Sequence, residues 1–363
     1  MEIILISEII LFFFFLQYKK ETRNKYFFFT CLILFILTGL HDGQENCDFP
    51  QYMNFFTGKD YSMYGNLDKE YELELPYYYY CKFISFFGRT EFIYIEAICF
   101  TFGIPFMYMI YKYSKNPPLS LLLMLVLMGG KTYLFYLAGH RQMIATICFI
   151  LAYLLIESKI NRKRIYCIIL LSIALMAHSS SFFLLPILLI IYYSKKNLSK
   201  KTYIIFITVT LVLGVLLSSL WLNNYNDFMS ILNSYEQVER ATQYSGIKGF
   251  VSNTNVTVAK LIPLSILTIS VVLLGDNKEI NGFHYKCLVA ATCLFNLFSS
   301  APLMDRALTV LFLFGVAGAV PYNLKRSIYK GGVFICALLL NMYFAYSWYI
   351  SDDFRLDFNF IWN

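Results

Sequence analysis

Charge is scarce in this chain: only 15% of its 363 residues are Asp, Glu, Lys or Arg, against about 25% in soluble globular domains. So few charges cannot solvate the surface of a water-soluble domain of this length. The nine cysteines include no Cys-x-x-Cys pair and no Cys/His ligand spacing, which excludes the common zinc and dithiol motifs. There is no Gly-rich phosphate loop and no Asp-x-Asp cluster to hold a divalent ion, so no metal and no cofactor is expected. No basic stripe with interleaved aromatics lies in a soluble stretch, so the net charge of +7 implies no nucleic-acid partner. An internal repeat and a Pro/Gly-rich linker are also lacking. Residues 1–363 form a single membrane domain on this reading.

Apolar residues are abundant: 58% of the chain is hydrophobic and 19% aromatic, with a mean hydropathy of +0.57. A hydrocarbon core of roughly 30 Å takes about 20 helical residues to cross. Twelve apolar runs of about that order recur, near 2–17, 26–41, 92–111, 118–137, 141–157, 164–178, 180–193, 202–222, 256–274, 284–299, 304–320 and 331–350. Lipid offers backbone groups no hydrogen-bond partner and the runs do not alternate as barrel strands do, so they are helices. The expectation is an all-α polytopic membrane protein with about 12 transmembrane helices. The sixth and seventh runs are short; either they tilt little, or Pro186 and the His-Ser-Ser-Ser stretch break a longer path into a re-entrant pair. The first run carries Glu2 and Glu8 and no basic flank, so it is expected to remain as a permanent span.

Lysine and arginine set the orientation. With the N-terminus outside, most of the 30 basic residues fall in short cytoplasmic loops: Lys19 to Lys25, Lys112 and Lys115, Lys159 to Arg164, Lys195 to Lys201, Lys278 and Lys286, and Lys325 to Lys330. That matches the positive-inside bias. Two long polar segments, 42–91 and 223–255, then face outward with the tail from Ser351. Loops of this length are usually functional or disordered, and their aromatics argue against disorder. Within the first, PYYYYCKFISFFGR (76–89) is too short to cross and suits a helix lying in the outer interface; the alternative is the front half of an overlong third span. Cys47 and Cys81 could meet an oxidising exterior and pair, although nothing in the sequence fixes their distance.

This topology brings polar groups from four spans to one level below the outer surface. His140 and Arg141 open the fifth span, His178 ends the sixth, Asp305 and Arg306 open the eleventh, and Lys131 lies in the outer half of the fourth. A charge inside a span costs about 2.5–3.5 kcal/mol at the helix centre on insertion scales, so such residues usually line a cavity. The competing explanation for each is a snorkelling topology anchor. Several cations at one depth suit a phosphate or pyrophosphate, whose oxygens match guanidinium forks. Asp42, Glu45, Asp48 and Asp305 are carboxylates able to take a proton. A loop carboxylate is more often solvated surface, Asp305 and Arg306 can pair with each other, and His178 can be a capped structural residue. Ser179 to Ser181 adjoin His178, but no nucleophile-elbow pattern surrounds them.

The order of these features resembles the EpsG-like branch of the Wzy polysaccharide polymerases. The shared pattern is an acidic outer loop with Asp48 and then Tyr52, a Pro-aromatic ELPYYYY segment, HRQMIA opening a middle span, AHSSSFFLLP ending the next, and APLMDRALTVLFLF opening a late one. One departure stands out: such proteins often carry an Arg and a Gly-Thr-Asp before the first outer loop, where this chain has HDGQENCDF. His41 and Arg89 are the two alternatives for that arginine's role. The resemblance implies a GT-C-like glycosyltransferase of the bacterial inner membrane with its active site facing the periplasm. Its donor and acceptor would both be undecaprenyl-pyrophosphate-linked oligosaccharides, with a chain-length regulator as a further protein partner. It implies Arg141 and Arg306 as a clamp on the leaving pyrophosphate, and His178 or Asp48 as the base. Arg89, Lys131, His140, Gln142, Tyr52, Asp305 and Arg240 are the substrate-binding candidates, with Tyr52 and Tyr77 to Tyr80 stacking on sugar faces or anchoring the interface.

Three rivals remain. A ligase that moves finished glycan onto lipid A core shares the mechanism. A lipid-linked oligosaccharide flippase should carry charge through the full depth of the bundle, and here the midplane is nearly clean. An O-acyltransferase needs its histidine near a cytosolic donor, and His178 lies on the other side.

Overall fold

Helix ends in this protein follow from caps, breakers and a few well-placed cations. The computed structural model describes residues 2–39, 49–58, 65–68, 70–71, 75–130, 139–223, 254–276, 279–298, 304–320 and 328–349. Among these the chain is helical, apart from a two-residue antiparallel ladder between β1 (Gly65–Asn66) and β2 (Glu70–Tyr71). In chain order the helices are α1 (Glu2–Gln17), α2 (Arg23–Gly39), α3 (Phe49–Thr57), α4 (Leu75–Ser85), α5 (Glu91–Tyr113), α6 (Pro117–Val126) and α7 (His140–Ile156). There follow α8 (Lys163–Ala177), α9 (Ser180–Tyr193), α10 (Lys200–Asn223), α11 (Thr254–Leu274), α12 (Phe283–Phe298), α13 (Met304–Gly318) and α14 (Ile328–Tyr349).

Every apolar run except the fourth is one helix whose ends fall close to those expected. Glu91–Tyr113, Lys200–Leu217 and Tyr329–Tyr346 are long and apolar enough to cross a membrane, and shorter apolar helices accompany them. The fourth run, 118–137, is not continuous. Asn116 caps α6 by accepting from the Leu119 amide (3.2 Å), with Pro117 and Pro118 in the first turn, where proline loses nothing. The helix then stops at Val126: Leu127 is extended, a 3-10 turn runs over Leu127–Gly130, and Met128 has a φ of 56°. Every residue of α6 is buried, with α1, α2, α5, α13 and α14 packed around it. A helix walled by protein need not cross lipid, so it tolerates the break. Next to it, α1 turns Ile4, Ser7, Glu8, Leu11 and Phe15 inward, and neither carboxylate oxygen of Glu8 has a hydrogen-bond partner.

The sixth and seventh runs are two helices, α8 and α9, of 15 and 14 residues. The break falls at His178, which is extended (φ −161°), and α9 continues through Pro186. The segment 76–89 also resolves into its own element. Helix α4 ends at Ser85, Gly88 takes a φ of 135°, and Thr90 caps α5 by accepting from the Ile93 amide (3.2 Å). Tyr77, Cys81 and Ile84 point inward while Tyr79 and Phe83 are exposed, so α4 is amphipathic and separate from the third span. Cys81 is a free, buried thiol, pushed by burial up to about 12; the thiolate that disulfide chemistry needs is suppressed. Cys47 lies outside the described residues.

The loop cations terminate helices. Arg23 donates to the carbonyls of Tyr111 and Ser114 at the end of α5. Lys163 Nζ donates to Ile156 O (2.7 Å) and Ser158 O (2.9 Å) beyond α7, and Lys286 Nζ to Ser194 O (2.6 Å) beyond α9. Lys200 Nζ does the same for Leu273 O (3.1 Å) and Gly275 O at the end of α11. Orphan carbonyls and the negative end of the helix dipole are satisfied together.

Candidate functional site

The first turn of α7 carries the triplet His140-Arg141-Gln142. Its cap, Gly139, offers no side-chain acceptor, so the positive end of the helix dipole adds to the arginine's charge. His140 and Gln142 are buried and Arg141 is half-buried. Phe49 and Tyr52 of α3 pack on His140 in this turn, and Phe56 packs on Tyr94 of α5.

Tyr52 joins the two. Its hydroxyl accepts from Arg141 Nε at 3.0 Å, the guanidinium carbon lies 6.0 Å from the ring centroid, and the same ring packs 4.9 Å from the His140 imidazole. On the other side of that imidazole, Nδ1 meets the Tyr94 hydroxyl of α5 at 2.6 Å, and Tyr94 in turn bonds the Tyr77 hydroxyl of α4. Burial raises the Tyr77 phenol well above its ordinary range, so it remains a neutral hydrogen-bonding group. Phe49 closes on the histidine with ring centroids 5.4 Å apart. Four helices, α3, α4, α5 and α7, thus lock one imidazole and orient one guanidinium.

Tyr52 and Tyr77 are almost fully buried (2% and 0% exposed), so neither presents a face to a sugar. Tyr80 is tied to Thr101 (3.0 Å), and Tyr79 alone of the four-tyrosine run is openly exposed. Tyr94 had no distinguishing signal in the sequence: it is one aromatic among many in an apolar run.

His178 caps the following helix. Its Nδ1 accepts from the Ser180 backbone amide (3.2 Å) and lies 2.7 Å from Ser180 Oγ, so the neutral ring carries its proton on Nε2. Its level relative to Arg141 follows from a contact between α7 and α8, which pack as an antiparallel hairpin. Cys167 Sγ donates to Ala152 O at 3.3 Å, and Arg141 and His178 each lie eleven residues from that contact, toward the same end.

Arg306 lies in the first turn of α13. Helices α7 and α13 meet near their C-termini, where Tyr153 packs on Phe314 with centroids 5.4 Å apart and His284 Nδ1 donates to Phe314 O at 2.6 Å. At 1.5 Å per residue, Arg141 lies back along α7 by about 18 Å and Arg306 back along α13 by about 12 Å. The side chains of Asp305 and Arg306, and all of His41, Asp48, Lys131 and Arg240, lie outside the described residues. Arg89 is drawn elsewhere: its guanidinium grips both oxygens of Asp68, which also receives Lys82 at 3.4 Å.

No curated protein matches this chain, and no solved structure matches it. A family model does, over residues 24–361, a span that takes in α3 through α14, nearly all of α2 and every candidate residue named above. The chain belongs to the EpsG family.

Proposed function

We propose that this protein is a polysaccharide polymerase. It transfers a growing glycan from an undecaprenyl-pyrophosphate donor to the sugar of a lipid-linked acceptor repeat unit, at the outer face of a bacterial inner membrane. Family membership supports a polysaccharide-polymerase role. The observation that carries the finer reading is the held guanidinium: Arg141 anchored through Nε by a buried tyrosine, at the end of the bundle to which α8 brings His178.

In the reaction, an acceptor hydroxyl attacks the anomeric carbon of the donor sugar. The bond from that carbon to the pyrophosphate oxygen breaks and the lipid pyrophosphate departs with the electron pair. A pre-oriented arginine stabilises charge that grows on the leaving group, which accelerates the step because little reorganisation is needed. Arg306 is the second half of the clamp. His178, whose Nδ1 accepts from the Ser180 amide and whose ring N–H is therefore on Nε2, is suited to donate to an oxyanion; Asp48 is the better candidate to accept the hydroxyl proton. Tyr52 and Tyr94 act through Arg141 and His140 as positioning residues.

The test is a deletion strain complemented with wild-type or Arg141→Ala protein, with surface polysaccharide resolved on a gel. The deletion and the variant should both leave single repeat units on the lipid, with the variant present at near-normal level. A full ladder from Arg141→Ala removes the clamp; a normal ladder from the deletion removes the polymerase. Material trapped inside the cell would identify a flippase instead, and loss of even the single-unit band a ligase.

A further inference from the structure

A groove of about 530 Å³ lies between Pro76, Tyr79 and Phe83 of α4, Ile144 and Ile147 of α7, and Met176 of α8. That volume lies within the usual range for small-molecule sites, about 300–1,000 Å³. Its walls are hydrocarbon and aromatic. The hydroxyls of Tyr80 and Thr101 on the wall bond each other at 3.0 Å, so an apolar occupant would strand neither. Tyr79 and Phe83, 64% and 62% exposed, form the outward lip.

Helix α7 places the groove relative to charge. Ile144 follows Arg141 by three residues, which sets them on one face about one turn apart. A guanidinium tethered by Tyr52 therefore stands one turn from the apolar wall, and the Tyr80 and Thr101 hydroxyls on that wall are matched to each other. A neutral lipid would fill the interior and make no use of the arginine. An anionic head joined to a long hydrocarbon tail is complementary to both.

We propose that this groove is the docking site for the proximal part of the donor's polyprenyl tail, with the pyrophosphate at Arg141 beside its mouth. This rests on the polymerase reading and adds where the tail lies.

The purified full-length protein, in detergent, is exposed to polyprenyl pyrophosphate carrying a photoreactive diazirine near the head end of its tail, and the crosslinked peptides are mapped by mass spectrometry. Labelling should fall on residues 75–83, 144–148 and 173–176. Excess untagged polyprenyl pyrophosphate should suppress it, and equal amounts of polyprenol or phosphatidylglycerol should not. Filling the groove with Ile147→Trp should weaken labelling by about tenfold or more, while Arg141→Ala should abolish the preference for pyrophosphate over polyprenol. Head-dependent labelling that maps to other helices overturns the groove and leaves the polymerase reading standing. Labelling suppressed equally by phosphatidylglycerol shows an ordinary bilayer-lipid site and also overturns the groove. Failure of polyprenyl pyrophosphate to bind in a head-dependent way anywhere on the protein removes both.

Discussion

Tyr52 decides how Arg141 is presented. Its hydroxyl accepts the Nε proton and its ring supports His140, so Tyr52→Phe removes the hydrogen bond and keeps the packing. Misplacing a catalytic group by about 1 Å can cost on the order of a hundredfold in rate. Chain extension in membranes should accordingly slow by about ten- to hundredfold, and the half-buried guanidinium can turn to water, so the thermal midpoint should fall only slightly; an unaltered rate would show that the guanidinium needs no tether. Asp68 plays a different part, in the exposed turn after β1. The Arg89 hydrogen bond, with the Arg89 and Lys82 charges, holds its carboxyl at about 2, below the ordinary 3.8. Because the folded value is the lower one, this contribution is present above about pH 4 and fades as pH falls through about 2. Both partners are well exposed, so the pair contributes at most about 1 kcal/mol. Limited proteolysis of the 58–90 stretch should proceed alike at about pH 5 and about pH 9, and faster in Asp68→Asn. A strong pH dependence in that window would assign the restraint to another group.

Close approach between helices is set by small residues, and Gly214 of α10 is the sharpest case. A Cβ there would run into the backbone carbonyl of Asn296 on α12, which has no flexible end to swing aside. Asn296 is itself buried and receives Ser265 Oγ of α11 at 3.1 Å, so three helices converge on that point. Small residues permit such contacts in membrane proteins. Gly214→Ala should destabilise the bundle by about 1–3 kcal/mol, seen as a lower midpoint when heated detergent extracts are run on size exclusion. No shift would mean that α10 and α12 stand further apart. At this scale the sequence was legible where an apolar run is bounded by polar residues, as in 92–111 and 141–157, which are α5 and α7. It was silent on the early end of α6, because a run of apolar residues looks the same whether it crosses lipid or is walled by protein.

Across the whole molecule, the cations that close α5, α7, α9 and α11 belong to the loops assigned to the cytoplasm by charge alone. Their side chains satisfy carbonyls at the C-termini of alternate helices, as a serpentine path with one basic face requires. Fusions of a periplasm-dependent phosphatase reporter after Asn161 and after Lys196 should be inactive, and one after Arg240 active. The reverse pattern would invert the orientation and place the Arg141 end in the cytoplasm, where this donor and acceptor chemistry has no reason to occur.

Composition and charge spacing by themselves determined that the chain is a bundle of apolar helices, where nearly all of those helices begin and end, and which polar residues are out of place among them. These are properties of short stretches of chain, governed by transfer out of water and by backbone hydrogen bonding, so local reading suffices. The tertiary structure alone decided which of the polar residues touch. It buried Tyr52 and Tyr77, which the sequence left as sugar platforms or interface anchors, added Tyr94, tied Arg89 to Asp68, and set a groove one turn from Arg141. Each of those outcomes depends on the angle at which one helix meets another, a quantity that residues distant in sequence fix jointly and that no single segment encodes.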